Sequence, residues 1–259
     1  MKMLVTPGMA QEWLSGNTAN RSISPDRVKA YARDMTSGFW VYNGETIKRT
    51  ADGVIIDGQH RLEAIVLSGV AVEVEVIEDL LLDVQATIDM GRGRSVSDTL
   101  GLKGEQYTRN LAAVSKRIWQ WEQGNVRFGN NPAPTPSEIQ ATLIKYPSLR
   151  RSAEMGARMT AAFKPSKASV MGTVHHLFNQ VDKDDAAAFF AYFETGAEMP
   201  LGHPVLALRN RYTQDRANLR ATPFHVGVGC SIRCWNAMRK GESMSIVKMT
   251  ADSAMPMPI

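Results

Sequence analysis

Between residues 50 and 76 the hydrophobic period of the chain switches from strand to helix and back to strand, and few architectures accommodate that order in so short a span. Asp52-Gly53 is the strongest short hairpin signal in the sequence, and the apolar run Val54-Ile55-Ile56 follows it directly. Leu62, Ile65 and Val66 then share a helical face, and Gly69 stops that helix. Val70, Val72, Val74 and Val76 alternate with Ala71, Glu73 and Glu75, the period of two that marks a half-buried strand. Upstream, Ser24-Pro25-Asp26 reads as a helix opening, with Ser at the cap, Pro in the first turn and an acid at the positive end. Val28, Tyr31, Ala32 and Met35 form the apolar stripe of that helix, and Gly38 ends it. Helix, strand, strand, helix and strand therefore fill residues 24–78 as a small α/β unit.

The rest of the chain reads as mostly helical. Residues 123–137 mix Gly, Asn and Pro without an apolar period, which predicts a hinge or exposed excursion. Within their end, Thr135-Pro136-Ser137-Glu138 has the pattern of a capping box ahead of Ile139, Leu143 and Ile144. Gly202-His203-Pro204 opens another helix, with Val205, Leu208, Tyr212 and Leu219 on one face. Beside that face Arg209, Arg216 and Arg220 line up in a row that suits phosphate contact or a solvated helix edge. The tail after Thr250 is expected to fray. The fold class expected is α+β: a small α/β domain over residues 1–100, then a mainly helical domain over residues 101–259.

Composition narrows the function. With 44% hydrophobic and 22% charged residues the chain is not disordered along its length. No run approaches the roughly 18 uninterrupted apolar residues that a membrane span needs. The N-terminal MKMLVTPGM lacks the apolar region of a secretory signal, so a cytoplasmic location and no membrane partner are expected. Cys230 and Cys234, spaced C-x3-C, have no second Cys/His pair at finger spacing and read as small core side chains. His175 and His176 are adjacent, point about 100° apart on a helix, and read as structural. Charge is unevenly divided: residues 1–100 carry 10 Lys+Arg against 14 Asp+Glu, and residues 101–259 carry 20 against 12. A basic second half fits a polyanion such as nucleic acid.

The segment richest in chemistry is Ile56-Asp57-Gly58-Gln59-His60-Arg61-Leu62. A buried strand delivers a glycine at a strand-to-helix corner, and the first helical turn then brings main-chain N–H groups, an imidazole and a guanidinium together, which suits an anion. Asp57 at the strand end has three open roles: holding His60, positioning a magnesium ion, or taking a proton. A second polar cluster alternates Gly91 and Gly93 with Arg92 and Arg94 just before a helix expected to begin at Ser95 or Ser97, and reads as a phosphate-wrapping loop or a basic connector.

Asp57-Gly58-Gln59-His60-Arg61 resembles the D-G-x-H-R motif of the ParB/sulfiredoxin-like superfamily. The resemblance extends through Asn43-Gly44-Glu45, the Asp-Gly hairpin and the 88–95 stretch, covers roughly residues 3–100, and is similar to ParB-like proteins of tailed phages. It implies a nucleotide-phosphate site formed by Gly58, Gln59, His60 and Arg61, with Arg21 reaching in from the N-terminal loop. Gln59 stands where sulfiredoxins carry cysteine, so sulfinic acid repair is not expected. His60 stands where partition proteins have an arginine-rich corner, which argues against a segregation clamp.

The activity expected from the resemblance is transfer of the γ-phosphoryl of ATP, with Mg2+, to a hydroxyl. Glu45, Asp57 and His60 are the catalytic candidates, and Glu45 takes the general-base position of the superfamily's serine kinases. DNA is the expected partner, with a hydroxymethylated pyrimidine as acceptor; a phage-encoded protein would act in the cytoplasm of the bacterial host. Phosphate or DNA contacts are expected from Arg92, Arg94, Ser95, Arg209, Arg216 and Arg220. Two alternatives remain: a nucleotide-switched DNA-binding protein without chemistry, and a nuclease.

Overall fold

A computed structural model describes residues 1–17, 22–81, 84, 95–130, 132–219 and 222–259. The chain is mixed α+β and divides into two compact units: Met1–Gly93 with Asn131–Glu138, and Arg94–Asn130 with Ile139–Ile259.

The first unit runs β1 (Lys2–Val5), α1 (Pro7–Ser15), α2 (Pro25–Thr36), β2 (Thr46–Arg49), β3 (Ile55–Asp57), α3 (Gln59–Ser68) and β4 (Val72–Ile77). The sheet order is β1-β4-β2-β3; β4 pairs antiparallel with β1 and parallel with β2, and β2 pairs antiparallel with β3. The expected order over residues 24–78 is present. Val72, Val74 and Val76 bury one face of β4 against Val28, Ala32 and Met35 of α2 and Leu62 and Ile65 of α3, within a single core. At the Asp52-Gly53 turn Gly53 has φ 82°, and the hairpin closes through Thr50 N–H to Val54 O at 2.9 Å. Sequence reading assigned no element before residue 24. There Thr6 caps α1 by accepting from Met9 N–H, and Trp13 packs into the core beneath the Arg49 guanidinium, 4.3 Å from its ring. The stretch 131–138 belongs to this unit through a hydrogen-bonded Arg33–Glu138 ion pair at 2.9 Å and Thr135 Oγ1 to Asp34 Oδ1 at 2.6 Å.

The second unit consists of α4 (Val96–Leu102), α5 (Thr108–Glu122), α7 (Leu149–Ala162), α8 (Ala168–Val181), α9 (Lys183–Thr195), α10 (Pro204–Ala217) and α11 (Phe224–Arg239), together with most of α6 (Pro136–Lys145). The capping box at Thr135 and Glu138 forms, in both directions, at 2.7 and 3.1 Å. Every residue of α8 from Val170 to Phe178 is buried, so α8 is the central helix. Gly156 of α7 and Gly172 of α8 let these two backbones meet; a Cβ on Gly156 would lie 2.9 Å from Gly172 N. Trp235 of α11 stacks on Phe178 at 4.3 Å.

Three expectations are corrected. The chain after Thr250 is fastened: Trp235 Nε1 donates to Ile259 O at 3.0 Å and Asn236 Nδ2 to Met257 O at 2.9 Å. Leu219 lies two residues beyond the end of α10 at Ala217 and is 95% exposed. Ile144 is exposed, so α6 buries only Ile139 and Leu143 of the three expected apolar residues. Residues 123–130 are mostly exposed, as expected, and are anchored by Phe128, which is buried and whose carbonyl accepts from Arg117. Among the described residues no helix is long and apolar enough to cross a membrane.

Candidate functional site

Buried Ile55 and Ile56 carry Asp57 to the end of β3, and Gly58 turns the chain into α3 at φ 97°. Any side chain is strained there: a Cβ would stand 3.0 Å from Ile47 Cγ1, 3.1 Å from Ile47 Cα and 3.3 Å from Thr46 O. The corner therefore lies directly against β2, and β2 supplies the partners of its charged groups.

Asp57 faces Lys48 across the β2–β3 pair. Its Oδ1 accepts from Gly58 N–H at 2.7 Å, and Oδ2 accepts from Lys48 Nζ at 3.1 Å and Arg61 Nη2 at 3.4 Å. Burial alone would raise its pKa, but the Arg61 guanidinium, the Lys48 ammonium and the Gly58 amide overcome that and leave it below the ordinary carboxylate value. Of the three roles open to Asp57, holding His60 is not the one adopted. A carboxylate so committed is an organiser of Arg61 and a poor proton acceptor.

Arg61 ties the site together. Nη1 donates to Glu45 Oε2 at 3.2 Å and Nη2 to Thr46 O at 2.7 Å, while Nε is buried without a partner. A buried unsatisfied guanidinium donor costs roughly 1–3 kcal/mol or more, which fold stability does not explain. Glu45 sits just ahead of β2 in a turn held by Asn43 Oδ1, which accepts Glu45 N–H at 3.0 Å, and 63% of its side chain is exposed. His60 is buried, and its Nε2 accepts Ser24 N–H at 3.0 Å, so a neutral ring carries its proton on Nδ1.

Glu45, Asp57, Gly58, His60 and Arg61 line one cleft of about 420 Å3, together with Arg27, Tyr31 and Asp34 of α2, Phe39, Trp40, Val41 and Asn43 from the turn that follows it, and Pro136 and Ser137. Gln59 departs from expectation: buried, it accepts from Asn17 Nδ2 at 3.2 Å and is not among the described lining residues. Arg27, exposed and with no ion-pair partner among the described residues, went unnoticed in the sequence, as did Phe39 and Trp40. The visible signal was the apolar run 39–42, which fits neither a helical nor a strand period.

Of the remaining candidates, Arg21, Arg92, Arg94 and Arg220 lie outside the described residues. Ser95 is committed to capping α4, exchanging hydrogen bonds with Asp98 at 3.2 and 3.0 Å. Arg209 is not a surface phosphate contact: it donates to the carbonyls of Phe193 and Glu194 at the end of α9 and stacks on Phe163 at 4.2 Å. Arg216 is exposed. Cys230 and Cys234 are buried free thiols, and His175 and His176 are buried, with His175 hydrogen-bonded to Ser152 Oγ at 2.9 Å. Among the described residues no group of three or more His, Cys, Asp or Glu side chains is placed to hold a metal ion. Comparison of the chain with protein-family models, with curated proteins and with solved structures finds no match.

Proposed function

We propose that the 57–61 corner binds the phosphates of a nucleoside triphosphate and that the first unit transfers the γ-phosphoryl group to a hydroxyl, with a hydroxymethylated pyrimidine in DNA as acceptor. The observation that carries this reading is Arg61, aimed by Asp57 and Thr46 O into a cleft that also holds Arg27 and His60, with the exposed carboxylate of Glu45 as its third partner. Arg27 and Arg61 face Asp34, Glu45 and Asp57 in the lining, a slightly acidic balance that suits a phosphate chain carrying magnesium. Magnesium bound to the nucleotide would supply charge neutralisation at the phosphoryl oxygens.

Each residue then has a task. An entering phosphate competes with Glu45 for Arg61 Nη1, because Glu45 is the more exposed partner; Asp57, at 19% side-chain exposure, and Thr46 O keep the guanidinium in place. Glu45 is thereby released to take the acceptor hydroxyl's proton as the new O–P bond forms and the bond to the leaving diphosphate breaks. His60 lines the cleft beside Arg61, its Nε2 held by Ser24 N–H. The +8 balance of residues 101–259 supports a nucleic-acid carrier for the acceptor.

The second reading is a nucleotide-switched DNA-binding protein without chemistry, favoured by the fact that both carboxylates nearest Arg61 are already paired with it. The nuclease alternative loses its anchor, since Asp57 is tied to Lys48 and Arg61. Incubation with γ-labelled ATP, Mg2+ and either unmodified or hydroxymethylated DNA separates these readings. Transfer of label to the modified DNA, abolished by Glu45→Gln while nucleotide is still retained, is expected. Retention of nucleotide with no label leaving ATP would overturn the transferase and leave the switch.

A further inference from the structure

At the end of α2, Gly38 turns the chain at φ 71°, and the N–H groups of Phe39 and Trp40 both donate to Asp34 O, at 2.8 and 3.1 Å. What this anchored turn presents is Phe39-Trp40-Val41-Tyr42, in which Phe39 is 38%, Val41 74% and Tyr42 42% exposed. Trp40 packs on the core and Tyr42 is tied to Glu75 Oε2 through its hydroxyl at 2.6 Å, but no such partner among the described residues explains the exposure of Phe39 and Val41. Trp40, half-buried, is set edge-on to Tyr31 at 5.5 Å and 71°, which defines its ring plane. Phe39, Trp40 and Val41 line the same cleft as Arg27, His60 and Arg61. Aromatic faces beside cations are the combination that holds single-stranded nucleic acid: bases stack on the rings while phosphates meet the charges.

We propose that Phe39 and Trp40 form a shelf on which one unpaired base of a nucleic-acid strand stacks, with the strand's phosphates meeting Arg27 and Arg61. A base within a duplex has no free face to offer such a shelf. A mononucleotide's base is usually enclosed, whereas here the rings continue outward into exposed Val41, as a passing strand requires. The assignment rests on the phosphate reading of the corner for its cations, and it names the form in which the acceptor is presented.

The test measures binding of four probes to the full chain in Mg2+: ATP, tripolyphosphate, a short pyrimidine single strand, and an abasic strand of equal length. The base-bearing strand is expected to bind about tenfold more tightly than the abasic one. Phe39→Ala combined with Trp40→Leu is expected to erase that advantage and to leave tripolyphosphate binding unchanged, whereas Trp40→Phe keeps most of it. Phe39→Ala alone, at a partly exposed site, serves as the variant in which folding is preserved, and it should lose part of the advantage. Equal binding of the two strands by the unmodified protein overturns the shelf but spares the phosphate corner if tripolyphosphate still binds. No binding of tripolyphosphate overturns the corner and the shelf with it. If ATP outbinds tripolyphosphate through the same two residues while strand binding is unaffected by the double substitution, the shelf serves the nucleotide and the proposal fails.

Discussion

Gly58→Ala is expected to destabilise the first unit by an amount that can be divided into two parts, because α3 carries a second glycine of positive φ as its own control. Gly58 precedes the helix at φ 97° and Gly69 follows it at φ 69°. At Gly69 an added methyl meets nothing within 4 Å, so Gly69→Ala carries only the backbone strain of a left-handed alanine, about 1 kcal/mol. At Gly58 that strain is joined by a close approach to Ile47 Cγ1, Ile47 Cα and Thr46 O at 3.0, 3.1 and 3.3 Å. The Ile47 side chain can rotate, but the other two atoms are main chain of β2, which is held between β3 and β4 and has nowhere to retreat. Forcing a methyl against fixed backbone adds roughly 1–3 kcal/mol. Gly58→Ala should therefore exceed Gly69→Ala by about 2 kcal/mol. Hydrogen exchange of the amides of residues 59–68 under urea reads the loss in α3 itself, free of signals from the second unit. Displacing the start of α3 also pulls Arg61 from Thr46 O, so nucleotide retention should fall in Gly58→Ala and hold in Gly69→Ala. Losses equal to within about 0.5 kcal/mol, the scatter of ordinary surface substitutions, would refute the close approach.

The second unit offers three further tests. Burial pushes the pKa of His175 and His176 down to about 4 from 6.5, so the unfolded chain binds more protons between those values. Their contribution to stability is complete above pH 6.5, is lost as pH falls towards 4, and is on the order of 3 kcal/mol for each, so unfolding midpoints measured across that window should drop steeply and His176→Phe should flatten the slope. Gly156→Ala drives a methyl into the carbonyl of Ala168 at the α7–α8 contact and should cost about 3 kcal/mol or more in urea unfolding, since both walls are helix backbone. Arg209→Gln should lower thermal stability without altering the salt dependence of DNA retention, because its guanidinium is spent on the end of α9; Arg216→Gln should leave stability unchanged and reduce the salt slope by about 1.

Local pattern made most of the first unit legible. The alternation at Val72–Ile77, the Asp52-Gly53 turn and the proline-opened helix at residue 25 each declare themselves within a few residues, and each is present. What escaped was whatever depends on distant partners. β1 is four residues long and is a strand because β4 offers it an edge, and α1 has a weak apolar stripe whose anchor, Trp13, is covered by Arg49 from β2. The chain after Thr250 looked like a frayed end because its Met and Pro residues carry no period; it is held by side chains of α11 more than twenty residues upstream. Arg209 looked like part of a basic row because helical spacing says which residues share a face and nothing about whether an exposed face is covered by another helix.

The same limit governs the cleft. Residues 57–61 were legible because they are consecutive, and Glu45 because a hairpin of known register returns it beside them. Arg27, Phe39 and Trp40 reach the cleft only through the packing of α2 on α3 and the turn after Gly38, a relation that no spacing encodes. Gln59 shows the converse: adjacency in a motif does not place a side chain in a site, since consecutive helical residues point about 100° apart, and His60 and Arg61 line the cleft while Gln59 turns to Asn17. That divergence bears on the chemistry. With Gln59 turned to Asn17 and Asp57 committed to Lys48 and Arg61, the exposed charged group of the corner is the Glu45 carboxylate, which holds one arm of Arg61. A ligand that engages this corner strongly must therefore be one that Arg61 prefers to a carboxylate, and a doubly charged phosphoryl group with three acceptor oxygens meets that condition where a second carboxylate would not.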